Sequence, residues 1–293
     1  MRLTQFFRNG AIHVGIAEEH AIFDVTSAAR GEEFAPATML EVIKQGEEGK
    51  AEIQRIYETH KNEDTYYVEK ESVTAAPSVT DAEKIICIGL NYARHAKESG
   101  MDEPKEPIVF NKFANALAAH KQPITLPPGS NKVDYEAELA IVIGKEASEI
   151  EVKDARDYMY GFTVSNDVSA RDFQFKSPQW LLGKSCDGFC PVGPELVTSD
   201  EIDDPGRLEI KAYVNGEVRQ QSNTSDMIFS CEEIVSFVSR FMTLKPGDLI
   251  LTGTPEGVIM GYPTEKQVWL KNQDTVTIEI EKLGILENQF IKK

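Results

Sequence analysis

The chain has 293 residues, 41% hydrophobic and 27% charged, enough to bury a sizeable core as an ordinary globular protein does. Its 48 acidic residues outnumber 31 basic ones, and the net charge of −17 argues against nucleic acid or an anionic membrane as partner. No apolar stretch approaches the roughly 20 residues needed to span a bilayer, and the first ten residues lack a signal-peptide core, so a cytoplasmic location is expected by default.

Residues 3–7, 11–16 and 21–25 read as short strands, with turns at Asn9-Gly10 and Glu18-Glu19. Segments 37–46 and 49–60 have helical spacing. Periodicity stops near 74–81, where Pro77 interrupts. Residues 1–76 are therefore expected to form a small α+β domain, and 77–293 a larger one. His13, His20 and His60 have no partner in register, and the leading unit is assigned no chemistry.

After the boundary the pattern is β-rich. Strands are expected at 84–89, 107–111, 137–143, 160–166, 191–198, 207–214, 217–220, 247–252 and 274–281, with a hairpin turn at Asn215-Gly216. Helical stretches are few, chiefly 91–99, 152–158 and 231–241. Strands do not alternate with long helices, and no Gly-x-Gly-x-x-Gly, P-loop or repeat appears. The expected fold is α+β and β-rich, a roll or barrel with peripheral helices. Cys87, Cys186, Cys190 and Cys231 are widely spaced and read as reduced thiols, without a disulfide.

Two acidic stretches lie in apolar, strand-like surroundings. Glu136 and Glu138 stand at i and i+2, so a strand would aim both carboxylates to one side, their Cα atoms roughly 7 Å apart. Asp167 ends a second apolar run that begins at Tyr160. Burying such carboxylates unpaired is costly, and an all-oxygen set suits a hard ion, Mg²⁺ or Mn²⁺ before Zn²⁺. A solvent-facing Glu-x-Glu on an edge strand is the competing reading. His95 and Glu98, at i and i+3 after the buried strand 84–89, can form a water-activating dyad, in which the carboxylate orients the imidazole.

Five motifs occur in order: Asn91-Tyr92-x-x-His95-x-x-Glu98, Asp134-Tyr135-Glu136-x-Glu138, Asn166-Asp167-x-x-x-Arg171-Asp172-x-Gln174, Gly183-Lys184-Ser185 and Thr252-Gly253-Thr254-Pro255. Together they resemble the fumarylacetoacetate hydrolase family over residues 80–290. The leading unit resembles the small N-terminal domain of longer bacterial members, which are acylpyruvase-like or 2-hydroxyhepta-2,4-diene-1,7-dioate isomerase-like. The resemblance implies the family's mixed β-roll, a homodimer, and Mg²⁺ or Mn²⁺ held by Glu136, Glu138 and Asp167. It also implies a small-molecule 2-oxo or diketo acid as substrate, with His95 backed by Glu98 as the base and Lys184 as a cationic partner for the enolate. Arg171, Gln174, Tyr92, Gly253 and Thr254 are implied at the substrate, with Arg171 suited to hold a carboxylate. The dyad helix and segment 170–180 are candidates for a lid. Phe113-Ala-Asn-Ala-Leu-Ala-Ala-His120 departs from the family pattern and leaves the distal part of the substrate open, with His120 a candidate specificity residue. The implied reaction is hydrolysis of a carbon–carbon bond in a 2,4-dioxo acid such as an acylpyruvate or fumarylpyruvate. Oxaloacetate decarboxylation or isomerisation of a 2-hydroxy-dienedioate is the alternative on the same scaffold. A non-catalytic ligand-binding role is a third reading, against which the complete residue set argues.

Overall fold

Two strands buried along their whole length, Ala137–Ile143 and Met159–Asn166, form the middle of the molecule. They pair antiparallel with Ala137 opposite Asn166, so the acidic positions beside that pair meet at one end of the ladder. The structure, a computed structural model, describes residues 1–292. Among these residues the two strands belong to an eleven-stranded sheet. On one side Leu249–Leu251, Ile85–Gly89 and Ile108–Lys112 follow, and on the other Glu195–Thr198 leads into the N-terminal strands. A five-stranded sheet packs beside it, in the order Glu217–Asn223, Glu209–Val214, Thr275–Ile280, Gly284–Ile291 and Ile124–Thr125. The fold is α+β, with mostly antiparallel strands and a few short helices at the periphery.

Several elements differ from expectation. Arg2–Arg8 pairs with Glu195–Thr198, so the leading strands continue the large sheet. The segment expected as a strand over 191–198 is split into Cys190–Pro191 and Glu195–Thr198. Helical 152–158 is a 3-10 helix, Val152–Tyr158. Gly284–Ile291 is a strand that the pattern did not reveal. The turns behave as expected: Asn9 and Gly10, like Asn215 and Gly216, adopt the positive φ values that a two-residue hairpin turn demands. The four cysteines are free thiols. His13 is not partnerless: its Nδ1 lies 2.9 Å from Asp24 Oδ1 in the core, and Arg8 and Ser27 hold the same carboxylate.

Candidate metal and active site

The strand pairing brings Glu136, Glu138 and Asp167 together. Each offers a carboxylate oxygen within 4.8 Å of the other two, and all three are buried. Glu138 lies in the strand, while Glu136 lies just before it and accepts the Asp167 N–H on its carbonyl at 3.0 Å. Gly253 presents its N–H to Glu138 Oε2 at 2.7 Å. It does so at φ +99°, where a Cβ would press on Asn91 at 2.8 Å, so glycine is required there.

Three buried cations face these acids. Lys184 Nζ donates to Glu136 Oε2 and Asp167 Oδ2, both at 2.7 Å. Arg171 donates to Glu136 Oε1, Asp134 Oδ2 and Gln174 Oε1. Lys112 Nζ lies 2.6 Å from Asp167 Oδ1, but its hydrogen bonds go to the carbonyls of Val168 and Lys184. Asp167 Oδ1 is thus a buried oxygen with no hydrogen bond. Counting Asp134, four buried carboxyls meet three cations, and Glu138 is the acid without a cationic side-chain partner. Burial, then the charges of Asp167 and Glu136, push the Glu138 carboxyl well above the usual carboxylate range. Burial also opposes the charge of Glu136, but Lys184 and Arg171 outweigh it and hold that carboxyl low. Burial works against Lys184 as well, and Asp167 and Glu136 overcome it and keep the ammonium charged.

These features fit a divalent ion. An all-oxygen donor set, and one carboxyl kept from ionising by burial and by its acidic neighbours, are what a hard dication would relieve. With all four carboxylates ionised against three cations, a bound dication would leave the cluster with one excess positive charge, which suits an anionic ligand.

Glu136 and Glu138 of the triad open onto a cavity of about 360 Å³. Its wall includes Glu136, Glu138, Lys184, Arg171, Gln174, Thr254 and the His95–Glu98 pair. His95 is buried, and its Nδ1 lies 3.3 Å from Glu98 Oε2. A carboxylate only accepts, so Nδ1 carries the proton and Nε2 is left free as a base. Glu98 is itself held by the Gly257 N–H.

Other expected substrate residues stand elsewhere or are already engaged. Tyr92 is wholly buried in the core at the start of helix Ala93–Glu98, its hydroxyl unpaired and outside the cavity wall. Arg171 lines the cavity while three of its five N–H groups go to Asp134, Glu136 and Gln174, so it braces Glu136. Gly253 serves Glu138. Thr254 does line the cavity, with Gln220 donating to its hydroxyl. His120 lies away from this cavity and accepts the Glu287 N–H. Lys112 and Asp134 were missed. A lysine inside a strand-like run signals exposure, and Asp134 gave no signal beyond its adjacency to Glu136.

Gly183 sets how close helix Leu181–Lys184 comes to segment 170–174. A Cβ there would sit 2.4 Å from the Gln174 backbone N and 2.5 Å from the Ala170 carbonyl oxygen. Gly183→Ala is expected to cost roughly 1–3 kcal/mol by overpacking, and to displace Lys184. Calorimetry should show a melting temperature lower by roughly 2–4 °C per kcal/mol. An unchanged melting temperature would mean that the helix has room to move.

Comparison with known proteins gives the family. The family described as "Fumarylacetoacetate (FAA) hydrolase C-terminal" matches residues 84–291. The mitochondrial oxaloacetate tautomerase FAHD2A of Bos taurus is 47% identical over 297 residues, covering 99% of this chain and 92% of that protein. A fumarylacetoacetate hydrolase structure from Exiguobacterium antarcticum superposes with a TM-score of 0.86 at 32% identity, over 100% of both chains. Maleylpyruvate hydrolase from Sphingobium sp. SYK-6, solved with manganese(II) and pyruvate, gives 0.79 at 28%, over 100% of this chain and 99% of that one. The bovine relative is a mitochondrial protein, which overturns the cytoplasmic location expected from the sequence. No helix among the described residues is long and apolar enough to cross a membrane.

Proposed function

The chain belongs to the fumarylacetoacetate hydrolase family and is one of its enzymes, and from that premise we propose that it interconverts the enol and keto forms of oxaloacetate. The observation that carries this reading is that Glu136 and Glu138, two of the three carboxylates of the metal-type triad, line one small cavity with the His95–Glu98 pair, while Asp167 meets them from behind. Likeness to an oxaloacetate tautomerase along almost the whole chain supports the choice of reaction.

Glu136, Glu138 and Asp167 would hold Mg²⁺ or Mn²⁺. When bound, the ion supplies Lewis acidity that stabilises negative charge on the oxygens of a 2-oxo acid. The chain's own groups do the rest. Ketonisation removes the proton of the 2-hydroxyl and delivers one to C3, so it needs a group that both accepts and gives a proton inside a closed site. His95 is that group, with Nε2 free and Glu98 fixing the tautomer. Lys184 keeps Glu136 ionised and holds both Glu136 and Asp167 in place, and Arg171, anchored on Asp134, braces Glu136 from the other side. Gln174 and Thr254 offer polar contacts to the carboxylate end.

A second reading, hydrolysis of a 2,4-dioxo acid, is favoured by the same dyad, since a base that moves a proton at C3 can also activate water. The test is turnover by metal-stripped protein with Mg²⁺ or Mn²⁺ restored. Loss of the enol absorbance of oxaloacetate, above the rate with metal alone, is the expected result. Loss of oxaloacetate itself with release of carbon dioxide would make it a decarboxylase. Cleavage of acetylpyruvate or fumarylpyruvate without enol–keto activity would put hydrolysis first.

A further inference from the structure

Beyond the carboxylates, their cations and the polar groups of His95, Ser99, Gln174 and Thr254, the rest of the cavity wall is largely carbon. Ile88, Leu90, Met101, Phe110, Phe175 and Trp180 line it. The wall is built, not incidental. Trp180 meets Phe110 edge to face, with ring centroids 5.2 Å apart. Gly89 leaves the space for this, since a Cβ there would lie 2.8 Å from the Trp180 ring. Phe110 also lies under Lys184, whose Nζ is 5.0 Å from the ring centroid, so the apolar wall abuts the triad directly. Leu90 is held at φ +53°, a left-handed backbone conformation that strains a side chain with a Cβ and that glycine adopts readily. Met101 and Phe175 leave 52% and 59% of their surface exposed.

Oxaloacetate makes no use of such a wall. Beyond its 2-oxo acid head lies a second carboxylate, which gains nothing against carbon and loses its hydration there. The cavity's lysine and arginine are both already paired with acids. An aromatic or bulky alkyl group in the same place would gain from burial in proportion to its area.

We infer that the site also accepts 2-oxo acids carrying an aryl or bulky apolar substituent at C3, and ketonises their enols on the same residues. This rests on the tautomerase reading above. The step balances without a co-reactant: the 2-hydroxyl gives up its proton, C3 gains one, and no other bond changes.

The probes are the enols of phenylpyruvate and of oxaloacetate, each followed by loss of enol absorbance with Mg²⁺- or Mn²⁺-loaded protein. Trp180→Ala removes the centre of the wall. Leu90→Gly removes another part of it while relieving the backbone, so it remains foldable if the tryptophan variant does not, and thermal melts monitor both. Wild type should ketonise both compounds above the metal-only rate. In each variant kcat/KM for phenylpyruvate should fall roughly tenfold or more relative to that for oxaloacetate. Turnover of oxaloacetate without phenylpyruvate, or an unchanged ratio in both variants, overturns this inference and leaves the tautomerase standing. Turnover of neither overturns both.

Discussion

Glu138→Gln is expected to make the metal-free protein more stable at neutral pH while abolishing its response to Mg²⁺ or Mn²⁺. The two effects have one cause. Without the ion, Glu138 is the buried acid that lacks a cation, and burial with Asp167 and Glu136 raises its carboxyl far above the usual range. A folded-state pKa above the unfolded value of about 4.3 contributes stability below that pH and loses it as pH rises toward the folded value. Metal-free wild type should therefore lose stability from about pH 4 upward. The amide does not ionise, still accepts the Gly253 N–H, and can donate to the neighbouring carboxylates. With the ion present the order reverses. Wild type gains about 2.7 kcal/mol at a hundredfold excess over Kd, and the variant, lacking a ligand, gains little. Turnover should fall on the order of 10³-fold, the several kcal/mol that a Lewis acid contributes. Differential scanning calorimetry between pH 4 and 8, with and without metal, checks all of this. Equal melting temperatures for the two metal-free proteins would show that Glu138 is relieved by some other means.

The triad was legible because carboxylates inside unbroken apolar runs are costly, and the spacing Glu136-x-Glu138 gave them one direction. What held them was not legible. Lys112 and Lys184 converge on Asp167 from positions 72 residues apart, and no local pattern reports such a meeting. Arg171 looked like a ligand-binding guanidinium because planar, bidentate recognition is its ordinary use. Asp134, buried and bonded to the Ile259 and Met260 N–H groups, claims it first. Tyr92 was placed at the substrate by resemblance, whereas its neighbours draw it into the core.

Strand assignments followed the same rule. Ala137–Ile143 matched expectation residue for residue, since a run that is apolar at every position but Glu138 has few alternatives. Gly284–Ile291 was missed because Asn288 points inward, where its amide donates to the carbonyls of Ala119 and Gln122 at 2.8 Å. A polar residue facing the core breaks the alternation on which a strand is recognised. The pairing of Arg2–Arg8 with Glu195–Thr198 spans almost two hundred residues, and no turn chemistry announces it.

Replacement of His95 by alanine separates binding from proton transfer. The imidazole is not among the carboxylate oxygens that meet, so the rise in melting temperature on adding Mg²⁺ or Mn²⁺ should survive. Turnover of the oxaloacetate enol should fall between about 10²- and 10⁴-fold, the range for a positioned acid–base group. Glu98→Gln should cost less. Its amide can still receive the Gly257 N–H, but it no longer requires the proton on His95 Nδ1, so part of the population would hold Nε2 in the wrong protonation state. The order expected is wild type, then Glu98→Gln, then His95→Ala, at constant metal affinity. A His95→Ala protein that binds metal and keeps its full rate on the oxaloacetate enol would mean that the proton reaches C3 from solvent. The dyad would then belong to a reaction that needs an activated water, and cleavage of a 2,4-dioxo acid would displace tautomerisation as the function of this cavity.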